Sequence, residues 1–243
     1  MSLETINFDH FPLATGQTVL DIGCGEGRHT ITAYLKGEVM AVGLDLSLKD
    51  LETARSRGEQ FKATVDNKGA DPRSMHFLRG SALSLPFEDA SVERVICSEV
   101  LEHIPDYQQV LSEITRILIP GGLFAVSVPR FGPEWICWQL SRPYHEVEGG
   151  HIRIFNARKL RHNIEEKGLF FYKRHWAHAL HAPYWWLKCL FWSSADDSKL
   201  VRWYHRFLVW DLMQKPTSTH LLEQALNPLF GKSVVMYFIK GTV

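Results

Sequence analysis

Over residues 15–130, short apolar runs alternate with segments whose apolar positions recur every three to four residues. That alternation predicts a parallel β-sheet covered by helices. A strand over Thr18–Ile22 runs into glycines, and a helix over Arg28–Lys36 stops at Gly37. Further strands are expected over 39–44, 75–79, 92–97 and 123–128, the last wholly apolar and suited to the sheet centre. Ser47 followed by Asp50 reads as an N-cap and its partner, opening a helix to about residue 66. The spacing of Val110, Leu111, Ile114, Ile117 and Leu118 places another helix over 106–118, ended by Pro120, Gly121 and Gly122.

Beyond Pro129 the pattern loosens. A helix is expected over 156–167, closed by Gly168, then strands over 169–174 and Ser233–Lys240. The stretch 175–232 between those strands is too long for a plain loop and should hold helices of its own. The expected organisation is a single domain, with a core at 15–130, 151–175 and 233–240 and outlying elements at 131–150 and 176–232. No internal repeat or low-complexity tract interrupts it.

A chain of 243 residues that is 45% hydrophobic and 22% charged folds rather than staying disordered. Its zero net charge hides a division. Residues 1–150 hold 13 Lys+Arg against 21 Asp+Glu (−8), and residues 151–243 hold 14 against 6 (+8). An anionic partner would meet the second part, although solvated helix faces give the same pattern. Four scattered cysteines without a CxxC pair point to reduced thiols and a cytoplasmic location. The first residues lack the cationic start and apolar run of a signal peptide. No stretch approaches the roughly 20 apolar residues that span a bilayer.

The strongest chemical signal is VLDIGCGEGRHT, where a strand ends at Asp21 and glycines follow at 23, 25 and 27 before a helix. Glycines permit the tight turn and close backbone approach to a ligand, and the helix start offers N–H groups to a carboxylate. A dinucleotide site could use a similar turn, but it expects its third glycine where Arg28 stands. Asp45, about 20 residues past the loop, is placed to accept hydrogen bonds from ribose hydroxyls. Ser47 already fills the capping role that would otherwise explain that acid.

In order, VLDIGCGEG, GLDLS, LPFEDASVERVICSEVLEHIPD and RILIPGG resemble the class I S-adenosylmethionine-dependent methyltransferases, in particular the subgroup of ubiquinone and menaquinone biosynthesis enzymes. The resemblance is close over 15–130 and looser over 145–175. It implies an α/β fold: a doubly wound, seven-stranded, mostly parallel Rossmann-like sheet, with a helical insertion before an antiparallel last strand. It implies S-adenosylmethionine as cofactor and S-adenosylhomocysteine as product. Asp21, Gly23, Cys24, Gly25 and Gly27 would lie near the methionine end, Asp45 on the ribose diol and Leu46 beside the adenine. Ser98 and Glu99 would lie near the methionine moiety and the acceptor. Ser81 stands where the family usually has an acid for the adenine amino group, which implies a weaker clamp and more reliance on the backbone of Ala82.

Glu99, Glu102 and His103 could together hold a divalent cation, as matching positions of some quinone O-methyltransferases are thought to do. The favoured reading is that Glu102 and His103 only shape the loop after the strand. A histidine placed like His151, in its GHIRIF stretch, sits over the pocket in the family, and an imidazole there suits removal of a hydroxyl proton. His145 and His103 are the neighbouring candidates. The competing reading has His151 and Arg153 merely bonding a loop.

The expected acceptor is a small apolar or amphipathic, lipid-like molecule methylated on oxygen, less readily on carbon or nitrogen. Ten aromatics crowd residues 176–210, including six of the eight tryptophans. They are expected to roof the acceptor pocket. With Lys188, Lys199, Arg202 and Arg206 they also suggest peripheral contact with the inner face of a membrane, against the alternative of a self-contained aromatic core. Zero net charge and the lack of a recognition module weigh against an RNA acceptor, and Arg28 weighs against a nicotinamide oxidoreductase. A non-catalytic cofactor-binding protein stays open, and the sequence does not indicate an oligomeric state.

Overall fold

The computed structural model describes residues 4–65, 73–147, 149–195 and 197–242. Seven strands form one sheet: β1 (Thr18–Ile22), β2 (Met40–Asp45), β3 (Ser74–Arg79), β4 (Val92–Ser98), β5 (Leu118–Pro129), β6 (Leu169–Ala177) and β7 (Ser233–Lys240). Their order is β3-β2-β1-β4-β5-β7-β6. All pairs are parallel except those of β7, which lies antiparallel to both β5 and β6. This is the doubly wound α/β arrangement that the resemblance implies, with the last strand reversed.

The strand period of two sorts side chains onto two faces. Leu20, Ile22, Val95, Cys97, Phe124, Val126, Met236 and Phe238 point into one core. Val19, Ile96, Leu123, Ala125, Val235 and Tyr237 point into the other. Helices α1 (Arg28–Lys36) and α2 (Leu48–Val65) cover the second face through Ile31, Ala33, Tyr34, Leu51 and Ala54. Helices α3 (Tyr107–Ile117) and α6 (Ala157–Glu165) cover the first through Val110, Leu111, Ile114, Leu160 and Ile164. The predicted cap forms, Ser47 accepting from Asp50 N, and two further caps join it: Asp106 accepts from Gln109 N, and Asn156 from Arg158 N and Lys159 N.

Two boundaries differ from expectation by three residues or more. β5 begins at Leu118, so Pro120, Gly121 and Gly122 lie within the strand; Gly121 takes φ +76 there. β6 runs to Ala177, so the insertion is shorter by three residues than the pattern suggested. Its charged and aromatic outward positions do not alternate cleanly, and its pairing with β7 shifts register between Phe171 and Lys173. The expected helix end at about 66 falls at the edge of the described residues.

Two groups of helices stand outside the sandwich. After β5 come α4 (Phe131–Leu140) and α5 (Arg142–Glu146). Between β6 and β7 come α7 (His181–Leu190), a 3₁₀ turn (Trp192–Ser194), α8 (Lys199–Gln214) and α9 (Thr217–Phe230). α4 packs on α7 through a small aromatic cluster of Cys137, Tyr144 and Cys189, with Trp138, Trp185, Trp186 and Trp192 against it. Among the described residues, no helix is long and apolar enough to cross a membrane.

Candidate active site

In an open parallel sheet, the crevice at the point where strand order reverses is the usual ligand site. Here that point lies between β1 and β4, and a cleft of about 650 Å³ opens at the carboxyl ends of the strands around it. The loops after β1, β2, β3 and β4 supply its walls: Gly23, then Asp45 and Leu46, then Gly80, Ser81 and Ala82, then Glu99, Val100 and His103.

The loop after β1 is fixed by its backbone. The N–H groups of Gly23 and Cys24 donate to Leu44 O at 2.7 and 3.1 Å, locking the loop to β2. Gly23, Gly25 and Gly27 all have positive φ, the region where a side chain is strained. A Cβ on Gly23 would collide with Val100, and one on Gly27 would lie 3.0 Å from Ala54 and Phe77. A Cβ on Gly25 meets nothing within 4 Å, so the requirement there is conformational.

Asp21 does not line the cleft. It is buried beneath the loop, where its carboxylate accepts from Thr30 N at 3.0 Å and Thr30 Oγ1 at 2.8 Å. Burial pushes it up to about 6, against the pull of Thr30 and Arg28. Asp45 lines the wall, accepting from Gly25 N and Ser47 N at 2.8 Å each, one bond per oxygen. A carboxylate offers about four acceptor positions, so two remain for hydroxyl donors. Leu46 is 65% exposed, an apolar surface beside the acid. Ser81 Oγ accepts from Leu83 N at 3.2 Å, and Ala82 is buried behind it. Cys24 is buried on the α1 side.

After β4, Glu99 adopts φ +57, an uncommon conformation for a side-chain-bearing residue and one found at binding sites. A buried relay holds it. Ser127 Oγ donates to Glu99 Oε1 at 2.8 Å, Ser98 Oγ lies 2.9 Å from Ser127 Oγ, and His29 Nε2 lies 3.2 Å from Ser98 Oγ. Burial, reinforced by Arg28, keeps His29 well below the usual imidazole value. A neutral His29 can donate from Nε2 while its Nδ1 stays without a partner. Ser98 therefore lies under the cleft floor, and Glu99 stands at its edge.

The segment after α5 is strapped to the same loop. Ile152 N donates to Glu102 O, His103 Nδ1 lies 3.2 Å from Gly150 O, and Arg153 donates to Pro105 O at 2.7 Å. This brings His151 against His103, ring centroids 5.0 Å apart. Arg153 bonds the loop, as one expectation had it, but His151 does not. Its Nδ1 lies 2.5 Å from Glu134 Oε1. Glu134 is buried on α4 and also accepts from Trp138 Nε1 and Tyr144 OH at 3.2 Å each. Burial raises its carboxyl, but His151, Lys232 and Trp138 outweigh that and hold it below the usual value. His145 is stacked on Trp138 at 4.2 Å and is not part of the cleft lining.

Glu102, His103 and His151 also bring possible cation ligands within 4.8 Å of one another. Neither Glu102 oxygen has a hydrogen-bond partner. Burial, with Glu99 nearby, drives its carboxyl well above the usual range, so a cation bound there would have to displace a proton.

Sequence reasoning missed Glu134 and His29. Glu134 is the one acid in FGPEWICWQL, and a lone charge in an apolar helix is the signal that could have marked it.

The sheet order, the reversed last strand and the glycine loop beside an acid-tipped β2 define the class I, S-adenosylmethionine-dependent methyltransferase fold. Residues 20–126 match the model of a methyltransferase domain. The 27-O-demethylrifamycin SV methyltransferase of Amycolatopsis mediterranei is 37% identical over 162 residues, covering 65% of this chain and 56% of that protein. The demethylmenaquinone methyltransferase of Lactococcus lactis is 36% identical over 111 residues, covering 44% and 40%. The chain thus spans about half the length of the curated relatives it matches. A putative methyltransferase from Bacillus halodurans has the same fold, with a TM-score of 0.60, 19% identity and 95% of each chain covered.

Proposed function

We propose that this chain moves the methyl group of S-adenosylmethionine to an oxygen of a small apolar or amphipathic acceptor, with His151 receiving the hydroxyl proton. The observation that carries this reading is the Glu134–His151 pair; His151 is not itself in the cleft lining, but its ring packs on His103, which is. Glu134 accepts from Nδ1–H and so leaves Nε2 with the basic lone pair. As His151 takes the proton, the carboxylate stabilises the imidazolium, and Trp138 and Tyr144 keep the carboxylate in place.

The cleft walls suit the cofactor. Gly23, Gly25 and Gly27 keep the loop free of side chains, Asp45 has acceptor positions left for a ribose diol, and Leu46 and Ala82 give apolar surface for a flat base. Bound S-adenosylmethionine supplies an electrophilic methyl on a positively charged sulfur that leaves as a neutral thioether. Glu99, fixed by the serine relay, would position the polar end of the cofactor or acceptor. Oxygen is favoured over carbon or nitrogen because an alcohol or phenol must lose a proton, which gives the Glu134–His151 pair work. A relative named for O-demethylrifamycin supports it.

A peripheral role at an anionic lipid surface is a second part of the reading. Trp203, Arg206, Trp210 and Met213 recur at i, i+3, i+7 and i+10 on α8, opposite its buried Val201 and Leu208. Lys199 and Arg202 flank that stripe. Apolar rings rimmed by cations suit an interfacial helix.

The test is direct. Incubation with isotopically labelled S-adenosylmethionine and a panel of quinols and hydroxylated macrocycles should raise one acceptor's mass by a single methyl. With that acceptor, His151→Ala should lower kcat by about 10²–10⁴-fold with S-adenosylhomocysteine affinity unchanged. A loss of under about threefold, against the scale of general-base catalysis, would remove His151 as the base.

A further inference from the structure

On the far side of the insertion, a second cluster has no part in the chemistry above. His178 lies in the turn after β6, His181 opens α7 and Glu223 lies on α9, and their ligand atoms fall within 4.8 Å of one another. His178 is held at φ +68, in the left-handed region. His181 Nδ1 and Glu223 Oε1 are both buried without a hydrogen-bond partner. Buried polar atoms are nearly always satisfied, so two orphans facing one space call for a ligand between them.

The third residue is already oriented. His178 Nε2 lies 3.0 Å from Thr5 Oγ1. With the hydroxyl accepting, Nε2 carries the proton and Nδ1 keeps its lone pair, the arrangement in which an outer oxygen fixes a metal-binding imidazole. Burial keeps both histidines neutral near pH 7, His181 at about 4 and His178 well below its usual value. Burial, with Asp211 beside it, raises the Glu223 carboxyl as it does that of Glu102, so a cation would displace a proton from either; Asp211 also adds negative potential toward His181, while Lys232 opposes it at the histidines. A surface pocket of about 480 Å³, lined by Thr5, His178, His220 and Glu223 among others, gives an entry path.

We propose that His178, His181 and Glu223 form a binding site for a divalent transition metal of the zinc class. Two imidazoles and one carboxylate match that metal's preference, whereas magnesium and calcium prefer all-oxygen sites. Zinc bonds are about 2.0–2.2 Å long, so the three ligand atoms must draw together, and His181 Nδ1 and Glu223 Oε1 have no hydrogen bond to give up as they do. Water fills the fourth position. The metal ties α7 and α9 to the end of β6, pinning both ends of the aromatic insertion. The rival occupant of the gap is an ordered water.

Metal-free full-length protein, titrated with Zn²⁺, should bind it with a rise in melting temperature, and Co²⁺ should give the visible absorption of a four-coordinate site. His181→Ala and Glu223→Gln should each abolish both signals, while Glu102→Gln keeps them, which separates this cluster from the one at the cleft. Thr5→Val should weaken Zn²⁺ by about 10–100-fold and serves where a ligand variant fails to fold. Retained S-adenosylhomocysteine binding marks each variant as folded. The proposal falls if Zn²⁺ does not bind, if binding survives both ligand variants, or if it disappears in Glu102→Gln instead.

Discussion

At the tip of β2, the two oxygens of Asp45 hold Gly25 N and Ser47 N, so one side chain ties the glycine loop to the start of α2 while facing the cleft. Asp45→Ala removes both ties and the acceptor for a ribose diol. Calorimetry with S-adenosylhomocysteine should show binding weaker by about 1.5–3 kcal/mol, the scale of hydrogen bonds to a charged group; unchanged affinity would remove Asp45 from the site. Glu134 acts through another residue. Glu134→Gln keeps a similar shape but loses the charge that orients and stabilises His151, so kcat should fall by about 10²-fold, the cost of misplacing a catalytic group. KM and cofactor affinity should hold, and Glu134→Asp should recover part of the loss. The contrast between these residues explains what was readable. Asp45, Leu46, Ser81, Ala82 and Gly23 follow strand ends at fixed spacing, and sequence order alone brings them to one cleft. Glu134 meets His151 across 17 residues and a helix turn, and nothing in the local pattern says which way it faces.

At the scale of elements, α1 is latched to β1 by Asp21, whose carboxyl accepts twice from Thr30. Burial has raised that acid from 3.8 to about 6. A raised acid favours the fold while protonated, and this contribution is lost as pH climbs from about 4 through about 6. Urea titrations should therefore show wild type losing ground to Asp21→Asn over that interval, by an amount on the order of 3 kcal/mol; a constant difference would mean that Asp21 is ionised throughout. The insertion divides into two kinds of aromatic. Trp185 and Trp186 belong to the packed face between α4 and α7: Trp186 donates to Pro133 O at 3.1 Å, and Lys188 and Lys232 lie over the Trp185 ring. Trp203 and Trp210 on α8 are 63% and 48% exposed. Flotation with anionic vesicles at low salt should carry the protein upward and fail for Trp203→Ala/Trp210→Ala, while neutral vesicles leave it behind. Flotation unchanged by that pair, or none at all, would remove α8 as a membrane-facing helix. Aromatic density was visible in the sequence, but the split into packed and outer face depends on which stripe of α8 meets α7.

Across the whole molecule, His29, His175, His178 and His181 are kept neutral by burial, two of them at about 4. Lowered imidazole values stabilise the fold above about pH 6.5, and that stabilisation is lost as pH falls toward 4. Asp21 works in the opposite direction over part of that range, but four histidines outweigh one acid. The melting temperature should drop steadily between pH 6.5 and 4, and His175→Gln should flatten the slope; a melting temperature that held or rose would show these imidazoles charging without cost. The parallel sheet of β1 to β5 was legible because strands and helices alternate over most of that stretch, β3 to β4 excepted. The end of β6 was not, because the β-pairing with β7 that fixes it joins residues on either side of the insertion.

That pairing has a consequence for how such a chain can diversify. Ala177 and Ser233 are register partners, so the insertion leaves and returns at one point on the sheet. The entropy of closing a loop grows only logarithmically with its length, about 0.6 kcal/mol for each doubling. Segments between those two residues can therefore be lengthened, shortened or exchanged for others with little effect on the strands that hold the glycine loop. Recombination at this doorway would exchange a single continuous stretch of chain, helices and aromatic faces together, and leave the strands and loops of the cleft as they are.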